Sequence, residues 1–498
     1  MSQDLPSAIF ETLELRRKSF LRAIPDFFES HVVLLTAVTI CGAVLRLWHL
    51  GAKSFWVDEA SSAVIAAAPW HDFWHVIQAA ELNMLPYYVL LRMWMHFGSS
   101  EAWLRLLSAL FGIATIPAVY RLASRLFNRR VGLLSASLLA VHPGHMRFSQ
   151  EARSYSMAVL LLTVFALLLL RALCYPKRLN WAACTVVASV AAYTHFFAVL
   201  ACVAQVIGVG VRPARQHLRA AAIPVLACGL LMGPIGLFAL NHDVGQLSGV
   251  MRPQFHHLLR VIFLLTGNGP RFALYVLLWG VAVWQGFRMN RDMQGSESAV
   301  SSSYSFLLAW LFLPLSFTVV LSFWKAALLP RYLLVSLPAA VILGAAGAVH
   351  LPRQFRAVIV VLLIAFSLKS VVSYYHGSKH GWRSAIQYVL SHSRSGDAIT
   401  IMPTNNGAVF EYYGVLRNPQ GPRLLRLAEG TPRPALPDIW VVTVSKPLNI
   451  RSESRKAQRW REDSTELEAL FASLGQAYGV TEVHDSEGVR VLLLAPAQ

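Results

Sequence analysis

Long apolar segments separated by short basic segments are the feature of this sequence that most constrains its fold. A helix needs about 20 residues to cross the hydrocarbon core of a bilayer. Eleven apolar segments of this chain are candidate spans, namely residues 32–50, 103–120, 131–143, 156–171, 181–194, 196–211, 220–240, 272–287, 304–323, 332–349 and 357–375. The pattern therefore predicts a polytopic membrane protein.

The composition agrees with a membrane protein and excludes several other classes. Hydrophobic residues make up 55% of the 498 residues, and charged residues make up 14%, whereas soluble domains carry about 25% charged residues. These values exclude intrinsic disorder, a coiled coil, a collagen-like fibre and an ordinary cytosolic enzyme. The net charge of +18 comes from basic residues that punctuate apolar segments, which is typical of membrane topology and not of nucleic-acid binding.

The distribution of lysine and arginine predicts the orientation, because cytoplasmic loops carry an excess of these residues. With the N-terminus inside, the segments assigned to the cytoplasm contain 18 of them, and the longer total of external segments contains 9. We therefore predict a cytoplasmic segment at residues 1–31 and a membrane domain at residues 32–375 with an external loop at 51–102. Because the number of spans is odd, residues 376–498 are predicted to lie outside.

Residues 376–498 change in character, since their apolar segments are short and separated by turn residues. The pattern predicts helices at Trp382–Leu390 and Ser464–Tyr478 and strands at Asp397–Met402, Asp438–Ser445 and Val489–Leu494. The predicted fold class is an all-α polytopic membrane bundle of about 11 transmembrane helices with a small C-terminal α/β extracytoplasmic domain.

Ionisable residues collect at the predicted outer ends of the helices. They are the carboxylates Asp58, Glu59 and Glu151 and the cations Arg153, Lys325 and Arg331. Such groups suit a substrate whose phosphate leaves and whose hydroxyl loses a proton, because arginine and lysine both bind phosphate. Helix capping, ion pairing and contacts of the cations with lipid headgroups are the alternative explanations.

Competing motifs are absent from the sequence. It contains no Walker loop, GxGxxG or GxSxG pattern. The histidines nearest the candidate segments lack the HxxxH and HExxH spacings of metal sites, so each is interpreted as exposed or internally hydrogen-bonded: His142, His145, His195, His256 and His257.

Six stretches of the sequence are similar to bacterial members of glycosyltransferase family 39. They are WVDEASS, ELNMLPYYVLLRMW, SEAWLRLLSALFG, HPGHMRFSQEARSYSM, LLPRYLLVSLPA and GWRSAIQYV, in the family's order from about residue 40 to 400. The family includes the dolichyl-phosphate-mannose protein mannosyltransferases and the aminoarabinose transferases that act on lipid A. The resemblance implies a GT-C fold and transfer of a sugar from a polyprenyl-phosphate-linked donor to an acceptor on the outer side.

The resemblance also implies roles for individual residues. Asp58 would be the general base that deprotonates the acceptor hydroxyl, with Glu59 and Glu151 as further catalytic residues. The donor phosphate would be bound by Lys325, Arg331, Tyr332 and Arg153. The pocket would be lined by Asn83, Tyr87, Tyr88, His142, Gln150 and Tyr155. Met84-Leu85-Pro86 departs from the polar-Pro-Pro-Tyr motif that many relatives carry there.

The predicted reaction is a single displacement with inversion at the anomeric carbon. It requires no cofactor, and a divalent metal is left open. The expected partners are membrane lipids, a polyprenyl-phosphate-linked sugar and a lipid, glycan or protein acceptor, in a bacterial inner membrane. Two alternatives stay open, a flippase or transporter of polyprenyl-linked sugars and another lipid-linked glycan ligase. A transporter would more often show paired repeats and charges at the membrane midplane.

Overall fold

The computed structural model describes residues 31–210, 229–234, 237, 255–291, 298–323, 328–377, 379–422, 424–426, 438–444, 468, 472 and 478–496. The chain forms two compact units. The first unit comprises Met1–Trp48, Ala109–Phe148 and Tyr155–Val371, and the second unit comprises His49–Ser108, Ser149–Ser154 and Val372–Gln498. The division at residues 31 and 375 inferred from membrane topology stays a prediction, and residues 1–30 lie outside the described part.

Helices dominate the described residues. The α-helices are α1 (His31–Leu47), α2 (Val57–Ala67), α3 (Trp70–Val76), α4 (Leu85–Met95), α5 (Glu101–Leu126), α6 (Arg129–Ala140), α7 (Pro143–Ser149), α8 (Tyr155–Cys174), α9 (Arg178–Thr194), α10 (Phe196–Gly210), α11 (Phe255–Thr266), α12 (Pro270–Arg291), α13 (Ser298–Leu321), α14 (Leu337–Val349), α15 (Arg353–His376), α16 (Trp382–His392) and α17 (Gly407–Phe410). Shorter 3₁₀ or π segments occur at Ile77–Glu81, Leu82–Met84, Pro330–Ser336, Thr404–Asn406 and Glu411–Leu416.

Within the described part of the chain, five helical segments are long and apolar enough to cross a membrane, by length and composition: Glu101–Leu126, Tyr155–Cys174, Ser303–Leu321, Pro330–Val349 and Arg353–His376. A sixth results if Leu258–Thr266 and Pro270–Arg288, bent by 82°, are counted together. The predicted segments fall on helices, except 220–240, which lies largely outside the described residues. The expected eleven spans are not confirmed, because several of these helices are short; α6 has 12 residues.

Helix α14 is the most enclosed of these segments and forms part of the core of the first unit. Every residue from Leu337 to Ala348 is buried, and the helix packs against α6, α12 and α13. A Cβ at Gly347 would lie 2.0 Å from the backbone oxygen of Leu278. Small residues therefore allow the helix backbones to approach closely, as is common in membrane bundles.

The second unit contains a five-stranded mixed sheet in the order β2-β1-β3-β5-β4. Its strands are β1 (Ala398–Met402), β2 (Leu425–Arg426), β3 (Ile439–Val444), β4 (Tyr478–Ser486) and β5 (Val489–Pro496). Strand β1 is parallel to β2 and β3, whereas β5 is antiparallel to β3 and β4. Strands β1, β3 and β5 lie where strands were predicted. Strand β4 was not predicted, and the predicted helix Ser464–Tyr478 lies almost entirely outside the described residues.

The sheet is covered by α16, whose buried side chains include Trp382, Ile386 and Val389. The same unit contains α2, α3 and α4, and α2 packs against α4. Helix α2 begins after Trp56, where the Glu59 side chain accepts a hydrogen bond from the Trp56 backbone N–H at 3.4 Å. This capping interaction fixes the first turn of α2, which contains the predicted acidic pair.

Candidate functional site

The predicted site residues are distributed over both units, and each set is described by itself. The second unit contains Asp58, Glu59, Asn83, Tyr87, Tyr88, Gln150, Glu151 and Arg153. The first unit contains His142, Tyr155, Arg331 and Tyr332. Lys325 lies outside the described residues.

Glu59 is a fully buried carboxylate bound by two cations. Arg105 donates to it in a bidentate manner, from Nε to Oε1 at 2.7 Å and from Nη2 to Oε2 at 2.8 Å. Lys379 Nζ donates to Oε2 at 3.0 Å, and the Ala152 N–H donates to Oε1 at 3.0 Å. Burial raises the pKa of Glu59, but Arg105 and Lys379 outweigh burial and hold this pKa at about 2. Glu59 is therefore ionised, and both of its oxygens are occupied.

Arg105 connects this carboxylate to the chain that leads into α2. It lies in the apolar helix α5 with only 2% of its surface exposed. Its guanidinium also donates to three backbone carbonyls, those of Leu50 at 3.0 Å, Lys53 at 2.7 Å and Ser54 at 3.2 Å. Arg105 was not among the site residues predicted from the sequence. A charged residue inside an apolar helix is the signal that could have identified it.

Asp58 is adjacent to Glu59 in sequence but lies in a different environment. Its side chain is half-buried, whereas that of Glu59 is fully buried. Its backbone carbonyl accepts hydrogen bonds from Ser62 Oγ at 2.9 Å and from Arg153 Nη1 at 3.3 Å. The backbone at Asp58 is therefore held both by its own helix and by the loop that contains Arg153.

The loop of residues 149–154 brings three predicted residues to this unit. Glu151 is fully buried, and its Oε1 lies 3.9 Å from Lys379 Nζ. Arg153 is 6% exposed and donates from Nη1 to Ser62 Oγ at 3.2 Å. Gln150 is also buried. The structure thus brings Glu59, Glu151 and Arg153 into one buried cluster, and the phosphate-binding role of Arg153 stays a prediction.

Tyr87 and Tyr88 are buried near the start of α4. The Tyr87 hydroxyl is hydrogen-bonded to Ser108 Oγ at 2.8 Å, and the Tyr88 hydroxyl donates to Glu81 Oε2 at 3.0 Å. Burial raises the pKa of both phenols, so both stay protonated at neutral pH. The buried Oδ1 atom of Asn83 has no hydrogen-bond partner within the described part of the chain. Asn83 therefore offers an acceptor oxygen for a donor group.

In the first unit, Tyr155 and Tyr332 both contact His195. The ring centroids of Tyr332 and His195 are 5.5 Å apart, and those of Tyr155 and His195 are 5.7 Å apart. Tyr332 also stacks on Phe197, at 5.0 Å, and the guanidinium carbon of Arg331 lies 5.7 Å from the centre of the Tyr332 ring. His195, which lacks a metal-ligand spacing, is thus part of an aromatic cluster with two predicted site residues.

His142 is held by hydrogen bonds within the first unit. Its Nδ1 accepts from the His145 N–H at 3.2 Å, and its Nε2 lies 3.0 Å from the Leu265 carbonyl oxygen. The Nδ1 contact satisfies a backbone donor in the first turn of α7.

The described residues give no support for a metal site. Among them, no three His, Cys, Asp or Glu side chains are close enough together to hold a metal ion. In the second unit, Glu59 is paired with Arg105 and Lys379, and Glu101 is paired with Arg383. Lys379 lies between α15 and α16 and was not predicted from the sequence either, because no motif identifies it.

Part of the chain is similar to a known protein family. The family model of dolichyl-phosphate-mannose-protein mannosyltransferases matches residues 83–235. A search of curated proteins found no significant match. The crystal structure of ArnT from Cupriavidus metallidurans in the apo state is similar with a TM-score of 0.59 and 13% identity, over 94% of this chain and 99% of ArnT.

Two further solved structures are similar in fold to this chain. ArnT from Cupriavidus metallidurans bound to undecaprenyl phosphate matches with a TM-score of 0.57 and 13% identity, over 94% of this chain and 99% of ArnT. The oligosaccharyltransferase AglB from Archaeoglobus fulgidus, in complex with an inhibitory peptide and a dolichol-phosphate, matches with a TM-score of 0.53 and 11% identity, over 94% of this chain and 74% of AglB. At these identities the structural matches establish the fold. The chain therefore has the fold of the GT-C glycosyltransferases, and its resemblance to glycosyltransferase family 39 is confirmed.

Proposed function

We propose that the protein is a membrane glycosyltransferase that moves a sugar from a polyprenyl-phosphate donor to an acceptor hydroxyl on the extracytoplasmic side of a bacterial inner membrane. Three findings support this proposal. The chain shares its fold over 94% of its length with ArnT, which has been solved with undecaprenyl phosphate bound. A mannosyltransferase family model matches residues 83–235. The apolar helices suit a donor whose lipid chain lies in the bilayer.

We assign the general base by comparing the surroundings of the adjacent acids Asp58 and Glu59. Both oxygens of Glu59 accept hydrogen bonds from Arg105, so Glu59 cannot take a proton without breaking a buried ion pair. Asp58 is only half-buried, and its backbone is fixed by Ser62 and Arg153. We therefore assign Asp58 as the general base and Glu59 as the residue that holds the first turn of α2 in place.

The proposed reaction is a single displacement. Asp58 accepts the proton of the acceptor hydroxyl while the oxygen attacks the anomeric carbon, and the bond between that carbon and the donor phosphate breaks. The family resemblance assigns Lys325, Arg331, Tyr332 and Arg153 to the polyprenyl phosphate that leaves, because lysine and arginine side chains offset the charge of a phosphate. Because attack and departure occur on opposite faces of the sugar, the product has the inverted anomeric configuration.

The test is donor turnover by purified protein in nanodiscs. A panel of polyprenyl-phosphate sugars is offered together with a membrane extract that supplies acceptors, and the release of free polyprenyl phosphate is measured. We expect release from one donor and a loss of at least about 100-fold in Asp58→Asn, since a general base contributes about 10²–10⁴-fold. Donor binding should persist in this variant.

A matched control is Asp72→Asn, which changes an acid of the same loop whose side chain is 62% exposed. This variant should turn over donor at the wild-type rate. Wild-type turnover in Asp58→Asn would refute the assignment of the base. No release from any donor by the wild-type protein would refute the transferase and make a transport assay the next experiment.

A further inference from the structure

We propose that Lys379 is a positioning residue for the acidic cluster. In this proposal, which rests on the proposed function, Lys379 bridges Glu59 and Glu151 and so holds the loop 149–154 against the start of α2. The position of Asp58, in the first turn of α2, then depends on Lys379, which lies between α15 and the sheet.

The contacts of the Lys379 ammonium support this role. Its Nζ lies 3.0 Å from Glu59 Oε2 and 3.9 Å from Glu151 Oε1. The Lys379 side chain is 15% exposed, whereas the two acid side chains are 0% and 1% exposed. An ammonium group is therefore held between two carboxylates that have almost no contact with solvent.

Removal of the Lys379 charge should destabilise the acidic cluster. The cation offsets the repulsion between the two buried carboxylates, and this repulsion is strong because the local dielectric is low. Arg105 faces Glu59 from α5, and Lys379 faces both acids from the segment after α15. Arg105 is already engaged in a bidentate pair with Glu59. Lys379 thus contacts one acid on each of the two segments, in addition to the hydrogen bonds that Ala152 and Arg153 of the loop donate to α2.

The segment that carries Lys379 is anchored on both sides of this residue. Ser54 Oγ donates to the His380 carbonyl at 2.6 Å. The Lys53 ammonium lies 3.9 Å from the centre of the Tyr374 ring and also donates to the Tyr374 carbonyl. The lysine at position 379 is therefore placed by its backbone, and a second lysine in the same region supplies a matched control.

The first test is thermal unfolding of the purified protein at neutral pH. Lys379→Met should lower the unfolding temperature, because the two buried carboxylates then lack this cation. The control Lys53→Met removes an ammonium that anchors the same segment without bridging the acids, so Glu151→Gln should not rescue its deficit. Glu151→Gln combined with Lys379→Met should recover stability relative to Lys379→Met alone.

The second test is turnover of the donor identified for the wild-type protein. Lys379→Met should lower kcat by about tenfold or more with little change in the KM for the donor, and Lys379→Arg should restore part of the loss. Wild-type kcat in Lys379→Met would overturn the positioning role. A deficit equal to that of Lys53→Met, without rescue by Glu151→Gln, would overturn the bridge. If the wild-type protein turns over no donor, the proposed function fails, while the unfolding comparison still decides whether Lys379 bridges the acids.

Discussion

Replacement of Glu59 by glutamine is the sharpest test of the buried ion pair. The change keeps the shape of the side chain and removes its charge. Arg105, which is 2% exposed, then loses its anionic partner while keeping its backbone acceptors. Removal of one partner from a buried pair destabilises a protein by about 3–5 kcal/mol. Because the amide oxygen still accepts one hydrogen bond, we expect the lower end of this range, about 3 kcal/mol.

This loss is large enough to measure by thermal unfolding in detergent. In a cooperative unit of 150–250 residues, a loss of 1 kcal/mol lowers the unfolding temperature by about 2–4 °C, so Glu59→Gln should lower it by about 6–12 °C. The double variant Glu59→Gln with Arg105→Leu should be less destabilised than the sum of its two single variants, because it leaves no unpaired charge. An unfolding temperature of Glu59→Gln within about 2 °C of wild type, or strict additivity in the double variant, would refute the reasoning.

Two further predictions concern acid stability and the sheet. The pKa of Glu59 lies below its ordinary value of 4.5, at about 2, so its ionised form stabilises the fold above about pH 4.5 and this contribution is lost as the pH falls toward 2. The difference in unfolding temperature between wild type and Glu59→Gln should therefore shrink between about pH 5 and pH 3, and a constant difference would contradict the assignment. In the sheet, Asp397 accepts hydrogen bonds from the Arg394 N–H at 2.8 Å and from Trp440 Nε1 at 3.1 Å. Asp397→Ala should lower the free energy of unfolding, measured by chemical denaturation, by about 1–3 kcal/mol. The control Asp485→Ala, at an exposed pair with Arg490, should lower it by less than about 1 kcal/mol. Equal losses would argue against a structural role for Asp397.

The adjacent acids Asp58 and Glu59 have different surroundings, although they belong to one short motif. Successive residues of an α-helix point about 100° apart around its axis. Glu59 therefore faces the interior of the second unit and its cations, while Asp58 is only half-buried. The capping contact between Glu59 and the Trp56 N–H places this division in the first turn of α2. One acid can thus keep a rigid structural role while its neighbour is assigned to proton transfer.

Much of the secondary structure and the family resemblance could be predicted from the sequence, whereas the number of membrane spans was harder to predict. Apolar patterning identified α5, α8 and α15 because it is a local property of the chain. It could not reveal that Leu258–Thr266 and Pro270–Arg288 are bent by 82°. Glycine and proline at residues 267–270 mark a break in the sequence, but the angle of the bend depends on how neighbouring helices pack and re-satisfy the backbone.

Apolar helices followed by a small domain with strands could be predicted from the residues alone, because apolar periodicity and turn residues act locally. The sequence also identified Asp58, Glu59, Glu151 and Arg153 as candidates, because charges beside apolar helices need partners or a function. The pairing of these charged groups, in contrast, depends on how the chain packs in three dimensions. Arg105 is 46 positions from Glu59 and Lys379 is 320 positions away. Packing brings such distant residues together, and the buried charges then require opposite charges within hydrogen-bonding distance.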